Sequence, residues 1–438
     1  MVFDNNVQGN RMEKAERGIV RIKPIHVGLY HYRYAYGSVV SPDVTGTPPV
    51  SLPSTEELKK AAWELVEKFK KSIHQLDFVE IEEPFIIKNH EDVRKVPSVL
   101  TYDTDAILIG TYGCAPLEVR AILRYGLPVA KPDPNFMRAL RVKKYLRESK
   151  ILYIGEIPSF SAPDGPWDFF AIEERLRVGF RHVETSEFFR IFSNIPSEAA
   201  KKKLEEWKGD FAAVIEPSER DLIEAAKVYL ALRLLCERED ANAVTINCGR
   251  FTEESAARGC ALVPCLAFAK LIDEGIVCGC EGDITAILSA LILHAVSGQP
   301  VLMGNFGYRP GQFGAREGEV TIEHDVIPLS MASTKFTIRD YHGRKFGVTG
   351  YADVKAGQPM TLLNIDKSLR KMCVIEGAVK GSEDGIHCRV IIHMSVNGDV
   401  EKIPEILIGS QHISMTYGHW LSALKEVGNL LGFEIKHL

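Results

Sequence analysis

Four residues in the second half of the chain could together hold a divalent cation. Glu281 follows the apolar run GIVCGC, and Asn305 closes the run QPVLMGN. His324 lies within VTIEHDVI, and His412 follows EILIGSQ. A carboxylate, an amide oxygen and one or two imidazoles suit Mn²⁺ or a similar divalent ion. These residue types, placed after apolar runs, predict a metal site.

Each of the four residues also has an ordinary structural interpretation. A lone glutamate at a strand end, such as Glu281, is typical of a cap or a surface charge. Asn305 precedes an aromatic residue and a glycine, which is typical of a turn. His324 in an apolar strand is typical of a core histidine, and His412 of a loop histidine bonded to backbone. Spacing alone leaves both interpretations open.

The segment 275–305 is predicted to form a β-α-β unit that positions two of these residues. Asp283 is the expected N-cap of its helix. Because both strands of such a unit run in the same direction, Glu281 and Asn305 should emerge at one carboxyl edge, with backbones about 5 Å apart if the strands are neighbours. Open α/β sheets bind ligands at that edge.

Strand–helix alternation along the chain predicts an α/β fold. We expect two Rossmann-like parallel-sheet domains, 1–148 and 149–306, the second of which carries the CEGD turn. Beyond residue 307, short strands with glycine and β-branched residues predict a mainly antiparallel β domain, 307–438, that ends in strand–helix–strand.

Several single elements are also predicted from local pattern. IHVGLYHYRY is expected to be the first strand, and Ser54 with Glu57 forms a capping box that opens a helix. One continuous helix is expected over 253–273. EILIG is expected to be a strand that delivers His412 to the following loop.

Composition limits the partners of the chain. The 438 residues carry a net charge of −5, which offers no attraction for nucleic acid or an acidic membrane. The polar N-terminus lacks the apolar region of a signal peptide, and the apolar stretch Ile284–Met303 contains too many polar residues to span a bilayer. We therefore expect a cytoplasmic protein with no membrane partner.

Nine cysteines without a leader predict reduced thiols. Cys260, Cys265, Cys278 and Cys280 lack the paired spacing of a structural zinc site, and two of them lie in apolar settings. Buried free thiols are the preferred interpretation of these four residues.

The chain resembles the L-fucose/L-arabinose isomerase family as a divergent member. The resemblance rests on VYLALRLLCEREDANAVTINCGRF, on LVPCLAFAKLIDEGIVCGCEGDITAILSALILHAVSGQPVLMGN, on IEHDVIPL and on GSQHISMTYGHW. It is good over about 220–330, moderate over 405–425 and weak in the first 150 residues.

The resemblance implies which residues hold the metal. Glu281 matches the metal-binding glutamate of the family, His412 its late histidine, and His324 a further histidine of the arabinose-isomerase branch. Asn305 falls where the family has a second carboxylate, which is a departure. Glu323, Asp325 or Asp283 could substitute for it.

The resemblance also implies contacts between the protein and sugar hydroxyls. The expected contact residues are Asn247, Gln411, Tyr30, His31 and Arg33.

By the same resemblance, the expected activity is aldose–ketose isomerisation of a pentose or 6-deoxyhexose through an enediol, with Mn²⁺ as cofactor and Glu281 and Asn305 at the catalytic positions. A homo-oligomer, a trimer or hexamer, is implied. Because Asn305 cannot carry a proton, two alternatives stay open: a non-catalytic sugar-binding paralogue, and a metal-dependent sugar lyase or epimerase.

Overall fold

The computed structural model describes residues 17–28, 53–88, 90–112, 116–157 and 168–438. The chain divides into two compact units, Met1–Tyr145 and Leu146–Leu438. The threefold division expected at residues 148 and 307 remains a prediction. Within the described ranges, no helix has both the length and the apolar character needed to cross a bilayer.

The first unit is built on a parallel sheet. Its strands are β1 (Val20–Val27), β2 (Val79–Ile81), β3 (Phe85–Ile87) and β4 (Thr104–Thr111). Its helices are α1 (Thr55–Ser72), α2 (His90–Arg94), α3 (Val96–Val99), α4 (Pro116–Leu123) and α5 (Pro134–Arg147), the last of which runs on across the unit boundary. β2 and β3 pair with successive halves of β1, and β4 pairs with β1 along most of its length. The first strand thus begins earlier than expected, and the predicted residues beyond Gly28 lie outside the described ranges.

Helix α1 confirms the expected capping box. Ser54 accepts a hydrogen bond from the Glu57 amide at 3.2 Å, and the Glu57 carboxylate accepts one from the Ser54 amide at 2.7 Å. These two bonds satisfy backbone donors that the first helical turn leaves free. The apolar residues at helical spacing form the buried face.

The second unit contains the remaining elements. Its helices are α6 (Phe169–Leu176), α7 (Thr185–Asn194), α8 (Ser197–Trp207), α9 (Glu219–Glu239), α10 (Cys248–Ala257), α11 (Cys265–Asp273), α12 (Ile284–Ser297), α13 (Ile403–Ile406) and α14 (Leu421–Leu431). Its strands are β5 (Lys150–Ile154), β6 (Gly179–Val183), β7 (Phe211–Val214), β8 (Ala243–Ile246), β9 (Val277–Gly279), β10 (Leu302–Gly307), β11 (Val320–His324), β12 (Phe336–Arg339), β13 (Thr349–Tyr351), β14 (Pro359–Ile365), β15 (Lys371–Asp384), β16 (Val390–Val396), β17 (His412–Tyr417) and β18 (Glu434–His437).

Three sheets organise the second unit. A parallel sheet has the order β6-β5-β8-β9. A larger sheet has the order β14-β17-β10-β11-β16-β15-β18, and the additional pairing of β14 with β15 closes six of its strands into a barrel. All its pairings are antiparallel except β15–β18. The third sheet is β13-β12-β7. The expected combination of parallel sheets and a C-terminal antiparallel sheet is therefore present.

Helix α12 connects the parallel sheet to the barrel. It packs against β8 and β9 on one side and against β14 and β17 on the other. Nearly all its residues are buried, which explains an apolar sequence without a distinct polar face. Its hydroxyls are satisfied inside the core: Ser289 Oγ, for example, donates to the Thr285 carbonyl at 2.7 Å. The segment is a core helix.

Strand β10 corrects the predicted β-α-β unit. It does not pair with β9, and it runs antiparallel to β11 and β17 in the barrel. All six of its residues are buried, so the sequence shows no alternation that would distinguish a barrel strand from a strand of the parallel sheet. The expectation that Glu281 and Asn305 leave neighbouring parallel strands was wrong.

Two local predictions were also wrong. The helix expected over 253–273 is interrupted: α10 ends at Ala257, Gly259 adopts a left-handed φ of 87°, and α11 begins only after Pro264. EILIG is not a strand, because its first residues complete the short helix α13. His412 instead begins β17.

Candidate metal centre

Glu281 lies in a strained turn after β9. Its backbone has a left-handed φ of 61°, and Gly282 follows with a φ of 67°. A Cβ at position 282 would lie 2.3 Å from Tyr153 Oη, so this turn requires glycine there. A non-glycine residue in such a conformation destabilises the folded state by on the order of 1–3 kcal/mol. Such strained residues are concentrated at functional sites. The turn leaves the Glu281 side chain 41% exposed.

Asp283 caps helix α12 and is fully buried. Its Oδ1 accepts hydrogen bonds from the Ala286 amide at 3.1 Å and the Thr285 hydroxyl at 2.8 Å. Its Oδ2 accepts hydrogen bonds from the Ser410 hydroxyl and from His412 Nδ1, the latter at 2.8 Å. Both oxygens are therefore engaged, and Asp283 orients the imidazole of His412.

His412 presents its second nitrogen to Glu281. Because Nδ1 donates to Asp283, Nε2 is the nitrogen that faces Glu281 Oε2, at 3.5 Å. Burial disfavours the imidazolium, but the hydrogen bond from Nδ1 to Asp283 and the proximity of Glu281 outweigh burial and raise the pKa of His412 to about 10. The ring is thus protonated at neutral pH, and a bound cation would displace the Nε2 proton.

His412 acts in turn on the two carboxyls beside it. Burial alone would raise the pKa of Glu281 and of Asp283. Hydrogen bonding and charge from His412 more than offset burial and lower the pKa of both groups. Both are ionised at neutral pH, as a metal ligand and its supporting group must be.

His324 ends β11 and faces the other carboxylate oxygen of Glu281. Its Nε2 is 4.0 Å from Glu281 Oε1. Its Nδ1 accepts a hydrogen bond from the Asp325 amide at 2.9 Å, so the neutral ring carries its proton on Nε2. Burial lowers the pKa of His324, which favours this neutral form. In this tautomer His324 is a donor, and it could ligate a cation through Nε2 only by giving up the bond to Asp325.

Asn305 lies on β10 directly opposite both His412 and Glu323. Residues directly opposite one another in antiparallel strands project from the same face of the sheet. Asn305 therefore shares a face with both of these side chains. It is buried, and its Oδ1 has no hydrogen-bond partner among the described residues.

These residues fit a divalent cation. Glu281, His324 and His412 bring one carboxylate oxygen and two ring nitrogens within 4.8 Å of one another, and of these three residues Glu281 and His412 can bind a cation without a change of the His324 tautomer. Asn305 Oδ1 is buried and lacks a hydrogen bond in the described part of the chain, and a buried polar atom without a partner costs about 1–3 kcal/mol. His412 Nε2 faces the Glu281 carboxylate as an ion pair, and Asn305 lies opposite His412 on the paired strand. A cation bound by Glu281 and His412 would give the amide oxygen a partner.

The carboxylates expected to substitute for Asn305 differ in availability. Asp283 is engaged at both oxygens, as described above. Asp325 is buried, and its Oδ1 accepts the Arg389 amide at 2.6 Å. Glu323 Oε1 accepts a hydrogen bond from the Cys388 amide at 3.3 Å, and Glu323 lies opposite Asn305. Glu323 is the best placed of the three.

The residues expected to contact sugar hydroxyls lie in different parts of the chain. Asn247 follows β8 and caps α10, and the Ile246 carbonyl before it accepts a hydrogen bond from the Gly282 amide at 3.0 Å, which places Asn247 beside the Glu281 turn. Gln411 is exposed and immediately precedes His412. The expected residues of the first unit lie outside the described ranges: Tyr30, His31 and Arg33.

Sequence reasoning missed two features of this centre. Asp283 was expected to cap a helix, but its bond to His412 links positions 129 residues apart and has no local signal. Tyr153 ends close to Gly282, and its buried hydroxyl has no hydrogen-bond partner among the described residues. Burial, with smaller effects from Asp283 and Glu156, raises the pKa of Tyr153. Nothing near Tyr153 in the sequence indicates this placement.

Two known proteins are similar in sequence to this chain. The sulfoquinovose isomerases of Priestia aryabhattai and Priestia megaterium are each 24% identical to this chain over 327 residues, 68% of this chain and 67% of each relative. No model of a protein family matches the chain.

Proposed function

We propose that this protein is a divalent-metal-dependent sugar isomerase that interconverts an aldose and a ketose through an enediol. The observation that carries the proposal is the approach of the Glu281 carboxylate to His412 Nε2, at 3.5 Å, with Asn305 opposite His412 on the paired strand and its buried amide oxygen without a hydrogen-bond partner among the described residues. The name of the relatives, sulfoquinovose isomerase, supports the same reaction class.

Glu281, Asn305 and His412 would hold the cation, which we propose to be Mn²⁺. When bound, the ion would act as a Lewis acid that stabilises the negative charge developing on the sugar oxygens. Asp283 keeps His412 Nε2 directed at the ligand position. The donor on His324 Nε2 lies near Glu281 and is suited to bond a substrate oxygen.

Glu281 and Glu323 are the two carboxylates that we assign to proton transfer. One of them removes the proton from the carbon beside the carbonyl and returns it to the adjacent carbon. Glu281 also binds the cation, which makes it a weaker base. Glu323, on the same sheet face as Asn305, supplies the carboxylate that Asn305 lacks.

The remaining assignments of the proposal concern substrate and assembly. Asn247 and Gln411 contact sugar hydroxyls, as do Tyr30, His31 and Arg33. The substrate is a pentose, a 6-deoxyhexose, or the sugar acted on by the relatives, sulfoquinovose. The enzyme is cytoplasmic and a homo-oligomer, a trimer or hexamer.

A metal-depleted preparation reconstituted with Mn²⁺ tests the proposal. Each sugar is incubated in D₂O, and products are identified by NMR. We expect ketose–aldose conversion with deuterium at C1 or C2, and loss of turnover in Glu281→Gln but not in the control Glu174→Gln, an exposed glutamate on helix α6. No conversion of any sugar, or full activity of Glu281→Gln, contradicts the proposal.

The Asn305 amide favours a second candidate, a non-catalytic sugar-binding protein. Calorimetry that shows sugar binding without turnover and without dependence on Mn²⁺ would select it. A third candidate, a lyase or epimerase, is identified in the same NMR experiment by C–C cleavage or by inversion at one carbon.

A further inference from the structure

A second group of ligand-type side chains lies in the same unit. His342, His387 and Cys388 each offer one ligand atom, and these three atoms lie within 4.8 Å of one another. His342 belongs to the short 3-10 helix Tyr341–Gly343, whereas the other two lie in the turn between β15 and β16. We call these three residues, with Asp325, the Cys388 cluster.

Two distances in the Cys388 cluster match the edges of a tetrahedral site. Cys388 Sγ is 3.6 Å from His342 Nε2, and Asp325 Oδ2 is 3.3 Å from the same nitrogen. Zinc bonds of about 2.0 Å to nitrogen or oxygen and about 2.3 Å to sulfur separate tetrahedral ligand atoms by about 3.3 Å and about 3.6 Å respectively. A cation could therefore enter with little movement of these atoms.

The surrounding structure holds these side chains in place. The His342 ring stacks on Tyr341, with centroids 3.7 Å apart, and on His387, with centroids 4.5 Å apart. Asp325 Oδ1 accepts the Arg389 amide at 2.6 Å, which anchors the carboxylate next to Cys388. His342 has a left-handed φ of 53°, so its backbone is strained in this position.

The charges around the cluster favour a cation over an anion. The Asp325 carboxylate is almost fully buried, and Glu323 Oε1 lies 4.0 Å from His387 Nδ1. The nearby Arg389 guanidinium is already bound to Asp340 and to the Gly385 carbonyl. The groups that face the cluster are thus carboxylates, which would repel an anionic ligand and attract a metal ion.

We propose that His342, His387, Cys388 and Asp325 form a second metal site, which binds Zn²⁺ or a similar thiophilic divalent ion. Sulfur and imidazole ligands select zinc, whereas the oxygen-rich Glu281 centre suits Mn²⁺. On binding, the Cys388 thiol releases its proton to solvent and the sulfur bonds to the metal. The site would link the end of β11, the 3-10 helix and the β15–β16 turn. It does not depend on the isomerase proposal.

Cobalt substitution tests the site, because only a thiolate ligand gives a sulfur-to-cobalt charge-transfer band. Reduced, chelator-treated full-length protein is titrated with Co²⁺ and followed by absorption. We expect a charge-transfer band that saturates at one equivalent and is displaced by Zn²⁺. The band should disappear in Cys388→Ser and persist in Cys373→Ser, whose thiol is buried in β15.

A second variant keeps the test informative if Cys388→Ser fails to fold. The His387 side chain is 69% exposed, so His387→Gln should fold normally. We expect at least a tenfold loss of Co²⁺ affinity in His387→Gln and none in the exposed-histidine control His437→Gln. Absence of the band in the unaltered protein, or a band that survives Cys388→Ser or is unchanged in His387→Gln, overturns the proposal. Glu281→Gln should leave the band intact, so failure of the two proposals is distinguishable.

Discussion

The Glu281 centre and the Cys388 cluster are two candidate metal sites with different ligand chemistry. In the Glu281 centre (Glu281, Asn305 and His412, with His324), the fully buried carboxylate of Asp283 orients the His412 imidazole and turns its Nε2 toward Glu281. In the Cys388 cluster, ring stacking holds the imidazoles and one of them is exposed. The first arrangement exposes a carboxylate for chemistry, and the second offers sulfur and suits a structural ion.

The difference suggests why only one of the two clusters would be catalytic. Glu281 is partly exposed in a strained turn, where a substrate could reach it. The Cys388 cluster has no comparably exposed carboxylate, because both Asp325 and the neighbouring Glu323 are buried. Glu323 lies between the two clusters, since it is opposite Asn305 and bonded to the Cys388 amide.

The largest expected effect is that of Glu323→Gln on turnover. Removing a proton-transferring carboxylate should lower kcat by about 10²–10⁴-fold. Mn²⁺ affinity should change little, since Glu323 is not an assigned ligand. Steady-state kinetics at saturating Mn²⁺ measure the first effect and calorimetry the second. Glu401→Gln, at an exposed position, is the control. An equal decrease of kcat in both variants would show that Glu323 does not transfer a proton.

Asp283→Asn should weaken Mn²⁺ binding by about 10–100-fold, because the amide no longer fixes the charge and tautomer of His412. The metal-free protein should also lose about 3 kcal/mol of unfolding free energy, since a buried ion pair is broken. Asp168→Asn is a matched control: Asp168 also caps a helix, accepting the Ala171 amide at 2.9 Å, but it is exposed. Cobalt binding at the Cys388 cluster should be unchanged. Equal Mn²⁺ affinity in both variants would contradict the orienting role.

Mn²⁺ affinity should rise with pH, by up to about tenfold per pH unit, because the cation must displace the His412 proton. The pKa of His412, raised to about 10, places this dependence across the neutral and mildly alkaline range. The folding stability of the metal-free protein should change with pH in the opposite direction to Mn²⁺ affinity. The stabilisation that protonated His412 gives the folded state is complete below its ordinary pKa of 6.5 and is lost as the pH rises through about 10. Calorimetry and denaturant unfolding at several pH values check both trends. A flat affinity profile would contradict the displacement.

Asn305→Asp should tighten Mn²⁺ binding by about tenfold, because it adds a negative charge to the ligand set. Calorimetric titration measures the change, and Asn397→Asp, a substitution of the same kind outside the Glu281 centre, is the control. If the added carboxylate weakens binding, the Asn305 side chain does not face the cation.

The smallest effect should be that of His324→Gln on metal affinity, a change of only a few fold. The His324 ring carries its proton on Nε2, so in our proposal it donates to the substrate and does not bind the cation. KM for the sugar should rise more than Kd for Mn²⁺. A loss of Mn²⁺ affinity as large as that of His412→Gln would show that His324 is a metal ligand, as the resemblance implies.

Local sequence signals predicted local structure well. The capping box of α1, the core helix α12 and the N-cap Asp283 follow from residues within a few positions of one another. Such features depend on backbone hydrogen bonds and side-chain spacing inside one segment. The interruption between α10 and α11 was missed, although Gly259 and Pro264 mark it.

The pairing between strands could not be predicted from local sequence patterns. A fully buried strand such as β10 has the same composition in a parallel sheet and in a barrel, so the sequence did not reveal that it pairs with β11 and β17. Glu281 and His412 nevertheless meet, because α12 packs against both β9 and β17 and its N-cap, Asp283, binds His412 at the start of β17.

Residue types alone determined that this chain holds a carboxylate, an amide and imidazoles suited to a divalent ion, and that Asp283 begins a helix. Only the tertiary structure decided which of them meet: the bond from His412 to Asp283, the proton on His324 Nε2, and the approach of His342 to Cys388. The physical reason is that these contacts join segments far apart in the chain or depend on hydrogen-bond direction, and neither leaves a periodic trace in the sequence.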